Sequence, residues 1–374
     1  MGQKTAIVFG ANGVSGTATI TQLAKCKDWL KVISVSRRPA QLDFDDPRVI
    51  HISIDILQNT IPEIAKRLSD AGAIDATHVF HYTYIEKETP EEQTRVNVEL
   101  LKKTLEAVVN TCPRLEAFVL QTGMKYYSVH LGPPKMAPMP FKEDAERRED
   151  LSQNFYYEQE DMLKEYAEKN KWRWVVTRPN LIVGLAKGNY MNVAITLGLY
   201  AALQKELGQP FRYPGNAKSW NAIVDHSTAL NNAEFQIWAA TTPAVGNNAY
   251  NIANGDKVRI KDLWPKLADY FGLKVSEEGM PSGDNEHMSR AFSFADYMDQ
   301  HKDKWHEIAK KHGLDTTAYD YGTWQFVDFT FARTWGDEGS LDKARSKGWD
   351  KSVDTAQGYY QVFDKMKELK MIPK

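Results

Sequence analysis

The chain has 374 residues, of which 42% are hydrophobic, and it carries ten Trp, 17 Tyr and 15 Phe. At roughly 150 residues per domain, that length allows two or three domains and a core large enough to need no disulfide or metal staple. A formal net charge of −2 excludes a nucleic-acid binder that works through a global positive field, and two cysteines, Cys26 and Cys112, make no disulfide framework and fit a reducing compartment.

The first residues run straight into an apolar stretch, without the charged and apolar regions of a signal peptide. The most apolar long segment, 191–207, contains Asn192, Gln204, Lys205 and Glu206. It falls short of the ~20 apolar residues that a membrane span requires. A soluble cytoplasmic protein with no membrane or nucleic-acid partner is expected, and a homodimer is allowed.

Strand-like runs at 5–9, 32–36, 49–54, 78–82, 117–121 and 172–177 alternate with helical patterns at 14–26, 61–71 and 95–110. Such alternation predicts parallel strands joined by right-handed crossovers, a doubly wound α/β sheet. Beyond Gly184 helical segments dominate, at 192–206, 228–240, 260–271 and 303–312, and residues 277–293 read as a loop. The charge run 142–150 reads as a solvated loop. The expected division is a cofactor domain of residues 1–185 plus about 220–255. Residues of about 186–219 plus 256–374 would form a smaller, mostly helical C-terminal cap that binds substrate.

The first strand ends in Gly10-Ala11-Asn12-Gly13-Val14-Ser15-Gly16, between a strand and a helix. Glycines there permit a tight turn and close backbone approach to a pyrophosphate, and the helix N-terminus favours anions. In NAD binders an acid ~20 positions on bonds the ribose 2′-hydroxyl. Here Arg37 and Arg38 follow the second strand, after Ser36. Guanidinium groups suit a 2′-phosphate, so NADP is favoured over NAD. Asp55 and Ile56, after the third strand, fall where an adenine would lie; Asp55 serves equally well as a helix cap. His78 and His81 are three residues apart on a strand and face opposite sides, so no metal site is expected.

These residues, with Asn97-Val98-Glu99-Leu100-Leu101, Thr122-Gly123-Met124-Lys125-Tyr126-Tyr127, Phe155-Tyr156-Tyr157-Glu158-Gln159-Glu160-Asp161 and Arg178-Pro179, resemble the extended short-chain dehydrogenases/reductases. More narrowly, the chain resembles the progesterone 5β-reductase/iridoid synthase-like (PRISE) enone reductases, over nearly its whole length. The pattern departs from the family's at Tyr126, Thr177 and around 186–190. The usual short-chain Lys, four residues after the Tyr, is replaced by Asp161. The resemblance implies that Lys125 supplies the ammonium instead, with Tyr157 as the catalytic phenol and Tyr156 as the alternative.

The resemblance also implies an NADP(H)-dependent Rossmann-type enzyme that reduces an activated C=C, or a C=O, of an apolar small molecule in secondary metabolism. Gly10, Asn12, Gly13, Val14, Ser15, Gly16, Tyr82, Thr83, Thr122, Gly123, Pro179, Asn180 and Ile182 would join Ser36, Arg37, Arg38, Asp55 and Ile56 around the cofactor. Met191, Trp220, Trp324 and Phe326 are candidates for the substrate pocket or for the core. Competing functions are an epimerase or dehydratase, an isomerase or cyclase on the same fold, and a non-catalytic NADP-sensing protein.

Overall fold

The computed structural model describes residues 3–151 and 153–374. Seven parallel strands form the central sheet: β1 (Lys4–Phe9), β2 (Trp29–Ser36), β3 (Val49–Ser53), β4 (His78–His81), β5 (Ala117–Gln121), β6 (Arg173–Pro179) and β10 (Asn248–Ile252). Their spatial order is β3-β2-β1-β4-β5-β6-β10. The order reverses beside β1, and ligands of doubly wound sheets bind at the carboxyl ends of the strands near such a switch point. Two short parallel pairs lie outside this sheet: β7 (Leu181–Val183) with β9 (His226–Thr228), and β8 (Phe211–Arg212) with β11 (Val275–Ser276).

The helices are α1 (Val14–Lys25), α2 (Ile61–Asp70), α3 (Pro90–Thr111), α4 (Phe155–Asn170), α5 (Val193–Leu207), α6 (Ala217–Asn221), α7 (Ala229–Thr241), α8 (Ile260–Phe271), α9 (Phe294–Gln300), α10 (Lys302–His312), α11 (Trp324–Ala332), α12 (Asp342–Ser346) and α13 (Thr355–Glu368). Local chemistry sets their starts. Thr60 and Glu63 form a capping box on α2, and Thr89 caps α3 with Pro90 in its first turn.

Continuous apolar strands such as Ala6-Ile7-Val8-Phe9 are buried on both faces, as a covered parallel sheet requires. One core on the α2–α3–α4 side includes Ile7, Ile33, Leu101 and Phe118. The core on the other face includes Val8, Val32, Phe80 and Phe235. A third, larger core gathers α5, α8, α11 and α13 around Leu199, Tyr213, Trp264 and Phe363. His78 lies edge-on to Trp29, whereas His81 stacks on Phe118; the two rings belong to opposite faces of β4.

The six expected strands appear with shifts of at most three residues at their ends, and a seventh, β10, joins them from within 220–255. Residues 277–292 hold no helix or strand. The run 142–150 is less solvated than its charge implies. Glu143 accepts the Asn251 N–H at 2.9 Å, and Arg147 spans from the Tyr157 ring to an ion pair with Asp161 at 2.6 Å.

Candidate active site

The carboxyl ends of β1, β2, β4, β5 and β6 open on one cleft of about 530 Å³. At its base, Gly10 has φ +75°, and a Cβ there would meet the Tyr82 carbonyl carbon at 2.9 Å. A Cβ on Gly16 would lie 2.3 Å from the Gly10 oxygen, so this glycine lets α1 pack onto the turn. Helix α1 starts from Gly13, which has no side chain to cap it. Its first-turn N–H groups therefore point at the cleft with the positive end of the helix dipole.

Asn12, Gly13, Val14 and Ser15 line this end with Gly10, while Gly16 lies beneath the surface. Ser15 is fixed by a relay that sequence reasoning missed. Gln121 donates to the Ser15 hydroxyl at 2.9 Å, Gln236 donates to Gln121 at 3.0 Å, and the Tyr82 hydroxyl donates to Gln236 at 2.7 Å. Tyr82 and Thr83 thus border the cleft, but the Tyr82 hydroxyl is turned toward α7.

Ser36, Arg37 and Arg38 line the next portion. The Ser36 hydroxyl donates to the Arg38 carbonyl at 2.6 Å and Ser53 donates to the Arg37 carbonyl at 3.0 Å. These bonds fix the backbone and leave both guanidinium groups without a carboxylate partner among the described residues. Asp55 and Ile56 follow. The Asp55 carboxylate accepts the N–H groups of Leu57 and Gln58 at 3.1 and 3.3 Å, so it holds its own loop, while Thr60 caps α2.

At the far end Thr122, Gly123, Lys125, Tyr156, Pro179, Asn180, Ile182, Met191 and Phe326 converge. Asn154, the cap of α4, donates to the Lys125 carbonyl at 2.8 Å. That bond ties the helix carrying the two tyrosines to the turn carrying the lysine. A Cβ on Gly123 would stand 3.3 Å from the Tyr156 hydroxyl; the glycine makes the room this phenol occupies. Burial, with the Glu86 charge added, pushes the Tyr156 hydroxyl well above the ordinary tyrosine value, so it is a standing proton donor. Burial and the Lys125 charge push His130, also in the cleft, down to about 4, so its ring is neutral at pH 7.

Tyr157, the phenol expected from the register of the motif, is not among the lining residues. Its hydroxyl donates to the Tyr126 carbonyl at 2.8 Å and accepts the Arg148 N–H at 3.1 Å. The phenol that reaches the cleft is Tyr156. Successive residues on a helix lie ~100° apart, and in this turn of α4 that step carries the Tyr157 hydroxyl away from the cleft to Tyr126 and Arg148. Trp220 and Trp324, candidates for pocket or core, are in the core. Trp220 packs on Tyr213 and Trp324 on Tyr319, inside the large helical core. Of the C-terminal aromatics, Trp305, Phe331 and Trp335 are buried, whereas Phe329 is 40% exposed and lines the cleft with Phe326.

Further lining residues escaped sequence reasoning. Tyr84, Ile85 and Glu86 come from the loop after β4 and Arg333 from the end of α11, while Asn189 and Tyr190 come from the 186–190 segment that departs from the family pattern. Asn189 accepts the Val14 N–H at 3.4 Å, which brings its loop over the glycine turn. No group of three or more His, Cys, Asp or Glu side chains suited to a metal occurs among the described residues. None of the described helices is long and apolar enough to cross a membrane.

Sheet order, glycine turn and cleft together define a Rossmann-type α/β protein. The match is more specific than that: residues 6–373 fit the model of the PRISE-like Rossmann-fold domain. The chain belongs to this family. It is 33% identical to an (S)-8-oxocitronellyl enol synthase of Nepeta racemosa, covering 99% of this chain and 94% of that one. It is 32% identical to a 3-oxo-Δ4,5-steroid 5β-reductase of Arabidopsis thaliana, with the same coverage. Among solved structures, an epimerase of Methanothermobacter thermautotrophicus superposes with a TM-score of 0.67 at 16% identity, over 98% of this chain and 93% of that one.

Proposed function

We propose that the protein is an NADPH-dependent reductase acting on an activated C=C, as in an enone or enal, of a small molecule with a largely apolar body. The observation that carries this is the joint position of Tyr156 and Lys125 at the carboxyl edge of β5, in one cleft with the glycine turn. The names of the two plant relatives support C=C reduction over epimerisation.

The residues fit the cofactor. A Cβ on Gly10 would collide with the backbone at Tyr82, and the start of α1, which takes no cap from Gly13, suits the pyrophosphate. Arg37 and Arg38, free of carboxylates among the described residues, suit a 2′-phosphate. Bound there, NADPH would supply a hydride to the β-carbon, and solvent would supply the proton that the α-carbon takes up to complete the saturated product. The Tyr156 hydroxyl donates a hydrogen bond to the substrate carbonyl oxygen, where negative charge grows as the enolate forms. The Lys125 ammonium adds positive charge beside that oxygen. Phe326, Phe329 and Met191 give the cleft an apolar wall for the body of the substrate. Reduction of C=O uses the same pair, with Tyr156 as general acid.

The test is oxidation of NADPH by the purified protein with 2-cyclohexen-1-one, with the product identified as cyclohexanone. Formation of 2-cyclohexen-1-ol would assign C=O reduction instead. Tight NADPH binding with no turnover on a panel of enones and aldehydes would overturn the proposal in favour of a cofactor sensor.

A further inference from the structure

The cleft holds a carboxylate that the proposed reaction does not use. Glu86 lies in the loop after β4, and that loop is built rather than loose. The side chain of Asn97, fully buried in α3, accepts the Ile85 N–H at 3.0 Å and donates to the Ile85 carbonyl at 2.8 Å. Gln93 donates to the same carbonyl at 3.0 Å. The residues on either side of Ile85 are therefore held in place, and both line the cleft.

The Glu86 carboxylate accepts the Tyr84 hydroxyl through Oε2, which leaves its second oxygen free. The Tyr84 ring lies 6.1 Å from Phe155, and Phe155 lies 4.4 Å from Tyr156. Behind the effect of burial, the Glu86 charge helps raise the hydroxyls of Tyr84, Tyr156 and Tyr190, so all three phenols are within reach of it. Among the described residues no Lys, Arg or His pairs with Glu86. Two cations of the cleft are already engaged, Lys187 with Asp315 at 2.9 Å and Arg333 with Asp337 at 2.9 Å. Lys125 belongs to the turn after β5.

A carboxylate that lines a cleft without a counter-ion offers a complementary charge to a cationic group bound beside it. Aromatic faces beside it attract the same charge through their quadrupoles. We propose that Glu86 is a specificity-determining residue that binds a cationic nitrogen of the substrate, whose class is then an enone or enal carrying a protonated amine. This rests on the reductase reading above and extends it to the second end of the substrate.

The experiment compares (E)-6-(dimethylamino)hex-3-en-2-one, protonated at neutral pH, with its uncharged isostere (E)-7-methyloct-3-en-2-one. In the native protein kcat/KM for the amine exceeds that for the isostere by about tenfold, and in Glu86→Gln the ratio falls to about one. The same ratio in both proteins overturns the proposal. If neither ketone is reduced, the reductase reading fails on its own, and calorimetry then decides the charge reading. The saturated amine 6-(dimethylamino)hexan-2-one, titrated in the presence of NADP+, binds native protein about tenfold more tightly than Glu86→Gln if the proposal holds. Equal affinity overturns it. Matching melting temperatures of the two proteins establish that the variant is folded.

Discussion

Tyr156 and Tyr157 are neighbours in the first turn of α4, and their hydroxyls serve opposite surroundings. The Tyr156 hydroxyl occupies space left by Gly123, whereas the Tyr157 hydroxyl is held by the Tyr126 carbonyl and the Arg148 N–H. Tyr156→Phe therefore removes a donor aimed into the cleft. Its kcat should fall about 10²–10³-fold, as for loss of one oxyanion donor, while NADPH affinity measured by fluorescence titration stays within about twofold. Tyr157→Phe should leave kcat/KM within about threefold and lower stability by about 1–2 kcal/mol, the effect of two backbone groups losing their partner. Urea titration reads the second effect. A Tyr157→Phe enzyme that is dead but fully stable would return the catalytic role to Tyr157.

In the proposed reading, Arg37 and Arg38 select NADPH over NADH through the 2′-phosphate. A charge-assisted bond to a phosphate contributes about 1.5–3 kcal/mol, or roughly tenfold or more in affinity. Both side chains are exposed, so the lower end applies. The double variant Arg37→Ala/Arg38→Ala should lose about 100-fold in kcat/KM for NADPH and change by less than about threefold for NADH. Steady-state kinetics with the two cofactors on one enone checks this. An equal loss with both would assign the arginines to folding.

Much of this site can be read in the residues themselves. The glycine turn, the arginine pair and the lysine after the fifth strand are all local patterns, fixed by what one strand end and one turn require. What the sequence withheld is orientation. Tyr156 and Tyr157 have the same chemistry and adjacent positions, and which one turns inward depends on tertiary contacts such as the Asn154 bond to the Lys125 carbonyl and the Tyr157 bonds to Tyr126 and Arg148. The core placement of Trp220 and Trp324 was not legible because their partners, Tyr213 and Tyr319, lie in segments without strong periodicity. Glu86 gave no signal because its placement depends on Asn97, eleven residues later on another element.

The ion pair Arg178–Glu160 packs behind the turn that carries Lys125 and Tyr126. Both side chains are almost fully buried and meet at 2.9 Å, and the Arg178 guanidinium lies 3.3 Å from the Tyr126 ring centroid. Burial pushes the Glu160 carboxyl up, but Arg178 and Lys164 outweigh it and hold it below its ordinary value of 4.5. A depressed carboxyl contributes stability that is complete above its unfolded value and lost as pH falls through the folded one. Glu160→Ala leaves Arg178 unpaired in the interior and should cost about 3–5 kcal/mol. Urea titrations at about pH 7 and about pH 4 should show the gap between native protein and variant narrowing toward acid. A gap that is constant or widens would refute the ion pair's role.

Asp225 titrates with the opposite sign. Burial pushes its carboxyl from 3.8 up to about 7, although the Gly339 N–H bonded to it resists this, and the charges of Asp337 and Glu338 raise it further. Between those values the folded chain holds a proton that the unfolded chain has released, so stability falls as pH rises across the window and levels off above it. The cluster reaches the cleft, since Asn180 donates to Asp337 at 2.6 Å and lines the wall beside Tyr156. Asp225→Asn keeps an oxygen for the Gly339 N–H but has no proton to lose. Its melting temperature should therefore decline less than that of the native protein between about pH 5.5 and about pH 8. Parallel declines in the two proteins would place the titrating group elsewhere.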